Sequence, residues 1–157
     1  MKIYFANALF SQAEINYNAQ LANKIRQIDN SIDLYLPQEN ASINDKQAYA
    51  DSKMIAQADT EKLLNSDLMI AVLDGLSIDN GVASEIGVAY AKEIPIIGLY
   101  TDTRQQGATN QKKLQALTQI AENQFHYVNL YTTGLIKLNG TIVNNEKDLL
   151  AAVANYI

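Results

Sequence analysis

The chain has 157 residues, 48% hydrophobic and 18% charged, enough for one domain with a real core. It has no cysteine and a single histidine, His126, which excludes disulfides, thiolate metal sites, a cysteine nucleophile and any histidine cluster. The net charge of −5 argues against a nucleic-acid partner, and no apolar run approaches a membrane span. The first strand, Lys2–Ala6, is entered directly from Met1 without a signal-peptide pattern, so a soluble, cytoplasmic protein is expected. Ser11 and Glu14 form a capping box for a helix running to about Gln27, with Ile15, Ala19, Ala22 and Ile25 facing inward. A second strand over residues 32–36 stops at Pro37, and the chain is polar and loop-like from Gln38 to about Asn44. A long helix is expected over residues 45–64, carrying Tyr49, Ser52, Ile55, Asp59 and Leu63 along one side. Residues 68–73 read as a third strand, 81–93 as a helix and 95–100 as a fourth strand. After a polar loop over 101–111, containing Arg104 and Gly107, residues 112–122 suit a helix and 125–128 a final short strand. Residues 130–138 fit strand or helix and end at the turn signal Asn139-Gly140; residues 146–156 form a C-terminal helix.

Strands alternating with helices imply a single α/β domain over residues 1–157. Its expected core is a doubly wound, mainly parallel five-stranded sheet of flavodoxin-like, Rossmann-like type. In such a sheet the loops after the first four strands emerge at one carboxyl edge. The loop after the first strand, Ala6-Asn7-Ala8-Leu9-Phe10, is no glycine-rich phosphate cradle, so a dinucleotide fingerprint is absent. The third strand leads instead into Asp74, Asp79 and Glu85, acids that suit glycosyl chemistry or a cation site. Their spacing matches no known calcium loop.

The segment Asp79-Asn80-Gly81-Val82-Ala83-Ser84-Glu85 carries the most information. In a helix Gly81 and Glu85 lie one turn apart, and a long side chain leans back toward the N-terminus. The Glu85 carboxylate should therefore lie over Gly81, with open space above it. Taken alone, a solvated first-turn acid favoured by the helix dipole explains Glu85 as well, and close helix packing explains the glycines.

The chain resembles the nucleoside 2-deoxyribosyltransferases over nearly its whole length. The resemblance is carried by Lys2-Ile3-Tyr4-Phe5-Ala6, Leu9-Phe10-Ser11 with Glu14, and Leu36-Pro37-Gln38-Glu39. Asp59 follows, with Asp67 eight residues on, then Asp79-x-Gly81-x-x-x-Glu85-x-Gly87-x-Ala89 and Asn129-Leu130-Tyr131-Thr132-Thr133-Gly134. The resemblance implies an enzyme that moves the deoxyribosyl group of a 2′-deoxynucleoside to another nucleobase, with no metal or redox cofactor. Glu85 would be the nucleophile, Tyr4 would hydrogen-bond and orient it, and Asp59 would face the base and assist proton transfer. Asp79 and Gly81 would take the sugar, while Phe10 and Gln38 would pack against and hydrogen-bond the base. Asn129 and Tyr131 would complete a neighbouring subunit's site, implying a homo-oligomer, a dimer or an assembly of dimers. Four of these have an ordinary alternative: a strand aromatic for Tyr4, a helix-surface acid near Lys62 for Asp59, and a polar surface strand or helix for Asn129 and Tyr131. The chain departs from the family pattern in its C-terminal helix, where the usual transferases have a short tail reaching the site.

Two further functions compete. Hydrolases of deoxynucleoside 5′-monophosphates, similar to this chain, carry a serine where Asp79 stands, whereas a carboxylate would repel phosphate and accept from a free 5′-hydroxyl. Asn129, in place of a second phosphate-binding serine, points the same way. A non-catalytic nucleoside-binding domain should have lost the nucleophile, yet Glu85, Tyr4, Asp59 and Asp79 are all present.

Overall fold

In the computed structural model the described residues are 1–44, 47, 49–104, 109–123 and 127–157. Strand β1 (Lys2–Ala6) turns Ile3 and Phe5 to one face and Tyr4 and Ala6 to the other, as the two-residue pleat requires. Strands β3 (Leu68–Val72) and β4 (Ile96–Leu99) are buried at every position. That is why they read as unbroken apolar runs. With β2 (Asp33–Tyr35) and β5 (Gly140–Val143) they form a five-stranded sheet in the order β2-β1-β3-β4-β5. Every neighbouring pair is parallel, which is the flavodoxin-like arrangement.

Helices cover both faces. Leu21, Ala22 and Ile25 of α1 (Gln12–Arg26) and Leu149 and Val153 of α7 (Glu146–Ala154) pack on Ile3, Phe5, Ile70 and Ile97. The opposite core joins Tyr4, Met69 and Ala71 to α3 (Ser52–Leu64), α4 (Asn80–Ala91) and α6 (Leu130–Leu138), through Leu63, Ile86 and Ile136. No described helix is long and apolar enough to cross a membrane.

Several sequence expectations change. The fifth strand is β5, not residues 125–128: Tyr127 and Val128 are irregular, and Phe125 and His126 lie outside the described residues. The turn signal Asn139-Gly140 marks the passage from α6 into β5. Asn139 closes α6 and donates to the Ile94 carbonyl at 2.7 Å. Gly140 passes so close to β4 that a Cβ there would fall 1.8 Å from the Ile96 carbonyl oxygen, which only glycine allows. Residues 130–138 resolve as helix because Asn129 caps them, its side chain accepting from the Thr132 amide.

The long helix over 45–64 is shorter. Asp51 caps α3, so Tyr49 precedes it, while Asp45, Lys46 and Ala48 lie outside the described residues. The loop expected after Pro37 contains a 3₁₀ turn, Pro37–Glu39, and a short helix, α2 (Ala41–Asn44). The capping box of α1 forms as read, with Ser11 and Glu14 each satisfying the other's backbone amide. Its buried face is Asn18, Leu21, Ala22 and Ile25; Ile15 is exposed and Ala19 half-buried. A short helix, α5 (Gln111–Ala116), follows the polar loop, whose Gly107 is outside the described residues.

Candidate active site

Parallel pairing sets Tyr4 of β1 opposite Tyr35 of β2, at the carboxyl edge and on the α3–α4 face. Their rings lie 5.5 Å apart, tilted by 31°. Each hydroxyl donates to a carboxylate on the helices above. Tyr4 Oη donates to Glu85 Oε1 at 2.6 Å, and Tyr35 Oη donates to Asp59 Oδ1 at 2.8 Å. Asn40, after the 3₁₀ turn, donates in turn to Tyr35 Oη at 3.0 Å.

Glu85, Asp59 and Asp79 line one pocket of about 260 Å³, together with Gly81, Phe10, Asn7, Asn44 and an apolar wall of Leu9, Pro37, Ile43, Ile55 and Val82. Larger concavities lie elsewhere, about 430 Å³ beside β2, 510 Å³ beside α6 and 330 Å³ beside β5, and lysines line the first two. The smaller pocket differs in its chemistry. Three carboxylates meet there, with no lysine or arginine among the described lining residues. No grouping of three His, Asp or Glu side chains among the described residues could hold a metal ion.

The electrostatics follow from this crowding. Burial raises the Glu85 carboxyl to about 7, opposed by the Tyr4 hydrogen bond and reinforced by the negative charges of Asp59 and Asp79. Burial also raises Asp59, and the bond from Tyr35 opposes it. Tyr4 is pushed far above the ordinary phenol range by burial and by Glu85, so it stays a neutral donor at all ordinary pH. Tyr35 is pushed up to about 12, chiefly by burial. Glu85 is therefore a far weaker acid than an ordinary surface glutamate.

Asp79 is the N-cap of α4, its Oδ2 accepting from the Gly81 and Val82 amides at 2.8 and 3.1 Å. One carboxylate oxygen is thus spent on the helix, and the cap leaves Oδ1 unused. The space over Gly81 is shared more widely than the sequence implied. A Cβ there would meet Asp79 Oδ2 at 2.9 Å, so the glycine admits the capping carboxylate as well as opening the floor before Glu85.

The structure places the remaining predicted residues less uniformly. Phe10 lines the pocket mouth and is 79% exposed. Gln38 is not a lining residue: its side chain accepts from Asn18 and donates to the Ile15 carbonyl, both at 3.0 Å. Asn129 caps α6, and Tyr131, 77% exposed, stands in its first turn; neither lines this pocket. Asp74 is also absent from it, since both its oxygens accept from Thr101 at the end of β4.

Sequence reading missed Tyr35 and Asn40, although a tyrosine closing a strand at the carboxyl edge was a usable signal. It also missed Asn18, fully buried in α1, which accepts from Asn7 at 2.7 Å and donates to the Ala8 carbonyl and to Gln38. That amide staples the first loop to the 3₁₀ turn and so fixes one wall of the pocket.

A family model for nucleoside 2-deoxyribosyltransferase matches residues 3–144. The chain belongs to this family. Among solved structures, a conserved protein from Enterococcus faecalis V583 is 68% identical over 99% of this chain and 98% of its own, with a TM-score of 0.94. A 2-desoxiribosyltransferase from Leishmania mexicana shares the fold at 16% identity, covering 99% and 97% of the two chains with a TM-score of 0.67. The Clostridium botulinum CMP N-glycosidase BcmB, also 16% identical, matches over 100% of both chains with a TM-score of 0.53. No curated protein matches the sequence.

Proposed function

We propose that this family member is a nucleoside 2-deoxyribosyltransferase acting through a covalent deoxyribosyl–Glu85 intermediate. Glu85 Oε1 is held by Tyr4, leaving Oε2 to attack C1′. The C1′–N bond breaks as the ester forms, its electron pair going to the departing base, and Asp59 supplies the proton that base needs. A second nucleobase then displaces Glu85 at C1′ and returns its proton to Asp59. Two inversions give net retention.

The observation that carries this reading is the pocket lining: three carboxylates, one of them bound by a buried tyrosine, and no cationic side chain among the described residues. A nucleoside with a free 5′-hydroxyl suits that field, since Asp79 Oδ1 can accept from it. Hydrolysis of a 5′-monophosphate would place a dianion against Asp79, a strong repulsion in a partly desolvated site. Asn129 and Tyr131 stand outside their own chain's pocket, which fits delivery to a neighbouring copy in a homo-oligomer. The deciding experiment incubates the protein with deoxyinosine or thymidine plus adenine and looks for deoxyadenosine. Release of free sugar unaffected by added base would make the protein a hydrolase instead.

A further inference from the structure

We propose that Tyr35 is a positioning residue that acts through Asp59, fixing which oxygen of that carboxyl serves the nucleobase. This rests on the transferase reading above. The Tyr35 hydroxyl has one proton, and the geometry sends it to Asp59 Oδ1, because Asn40 already donates to the same hydroxyl from the other side. The chain of bonds thus runs one way, from Asn40 through Tyr35 to Asp59. An Oδ1 that accepts from Tyr35 leaves Oδ2 as the oxygen able to carry a proton to and from the base. A half-buried aspartate without such a partner would be free to rotate and present either oxygen.

Tyr35 is itself firmly placed. Its ring packs on Tyr4, and Lys62 Nζ lies 5.6 Å from the ring centroid on the outer side. Through Tyr4 the same aromatic pair underlies Glu85, so nucleophile and acid rest on adjacent residues of paired strands. The charged and titratable groups around Asp59 come from several elements. Burial raises the Asp59 carboxyl and the Tyr35 hydrogen bond opposes it; Glu85 and Asp79 line the same pocket, Tyr4 lies beside Tyr35, and Lys62, on the same helix as Asp59, lies against the Tyr35 ring. Tyr35 is the one that hydrogen-bonds Asp59 directly.

The test combines kinetics with a direct titration. Tyr35→Phe keeps the ring and its packing and removes only the hydroxyl. It should lower kcat for base exchange by roughly tenfold with little change in KM, the size of one lost bond to a charged group. In an Asp59→Ala background the same change should cost less than about twofold, because the effect passes through Asp59. The Asp59 carboxyl carbon, assigned in ¹³C spectra by its loss in Asp59→Ala, should titrate at higher pH in Tyr35→Phe than in wild type. An equal loss in both backgrounds, or an unmoved Asp59 titration, would overturn the proposal. The titration needs no turnover, so it separates this failure from failure of the transferase reading, which would show as absent exchange in wild type.

Discussion

The Tyr4 hydroxyl and the Glu85 carboxylate, 81 residues apart in sequence, meet at 2.6 Å where β1 ends beneath the first turns of α4. The tyrosine is held neutral and can only donate, so the bond favours the ionised form of Glu85. Removing it in Tyr4→Phe should lower kcat/KM by roughly ten- to a hundredfold. It should also move the acid limb of the pH–rate profile, set in wild type by a Glu85 value of about 7, to higher pH. A profile whose limb stays in place would show that Tyr4 does not control the charge on Glu85.

A second consequence concerns stability. The folded value of Glu85 lies above its ordinary 4.5, so the folded state binds more protons between roughly that pH and about 7. The stabilisation tied to its protonated form is therefore full below about 4.5 and is lost as pH rises through about 7. Glu85→Gln, which cannot ionise, should be more stable than wild type at pH 8 by about 1–2 kcal/mol, with the gap closing at acid pH. Urea titrations at pH 5 and pH 8 check this. Exchange activity should be abolished in the same variant, and a 2-fluorinated arabinosyl analogue should label Glu85 in wild type; label on Asp59 or Asp79 would reassign the nucleophile.

The sheet was readable where burial is two-sided: β1, β3 and β4 announce themselves as apolar runs, whereas strand order rests on pairing between distant segments, which no local run encodes. β5 was not, because an edge strand with exposed Gly140 and Thr141 has no such run. At the site, Glu85, Asp79 and Gly81 were legible because helical spacing and a cap position bring them together locally. Tyr35 escaped because its bond to Asp59 spans 24 residues, which no local pattern encodes, and Asn40 because it reaches that pair only through the Tyr35 hydroxyl. Gln38 carried a motif position, yet the buried Asn18 claims its amide.

A covalent intermediate makes a prediction about partitioning. With donor alone, the deoxyribosyl-enzyme should be released slowly by water as free deoxyribose. Added base should divert most of that flux into new nucleoside, because the apolar wall of the pocket favours a planar base over water. Product ratios measured against base concentration report this. Ratios insensitive to base would mean that water is the true acceptor.

Asp79 gives the sharpest test of substrate class, because it both caps α4 and lines the pocket. If its Oδ1 accepts the 5′-hydroxyl, deoxyadenosine should be preferred over its 5′-monophosphate by roughly a hundredfold or more. Asp79→Ser should weaken nucleoside turnover, since the serine hydroxyl is a weaker acceptor than a carboxylate, and should narrow the bias against the monophosphate. Serine remains a good N-cap, so its stability should stay within about 0.5 kcal/mol of wild type, whereas Asp79→Ala should lose about 1 kcal/mol with the two amide bonds. Comparing the two variants separates the helix from the chemistry: loss of nucleoside preference in both, with loss of stability only in alanine, assigns the selectivity to the carboxylate. Steady-state kinetics on both substrates, beside thermal unfolding, decide it. Equal or better wild-type activity on the monophosphate would sink the nucleoside reading and leave a nucleotide hydrolase in its place.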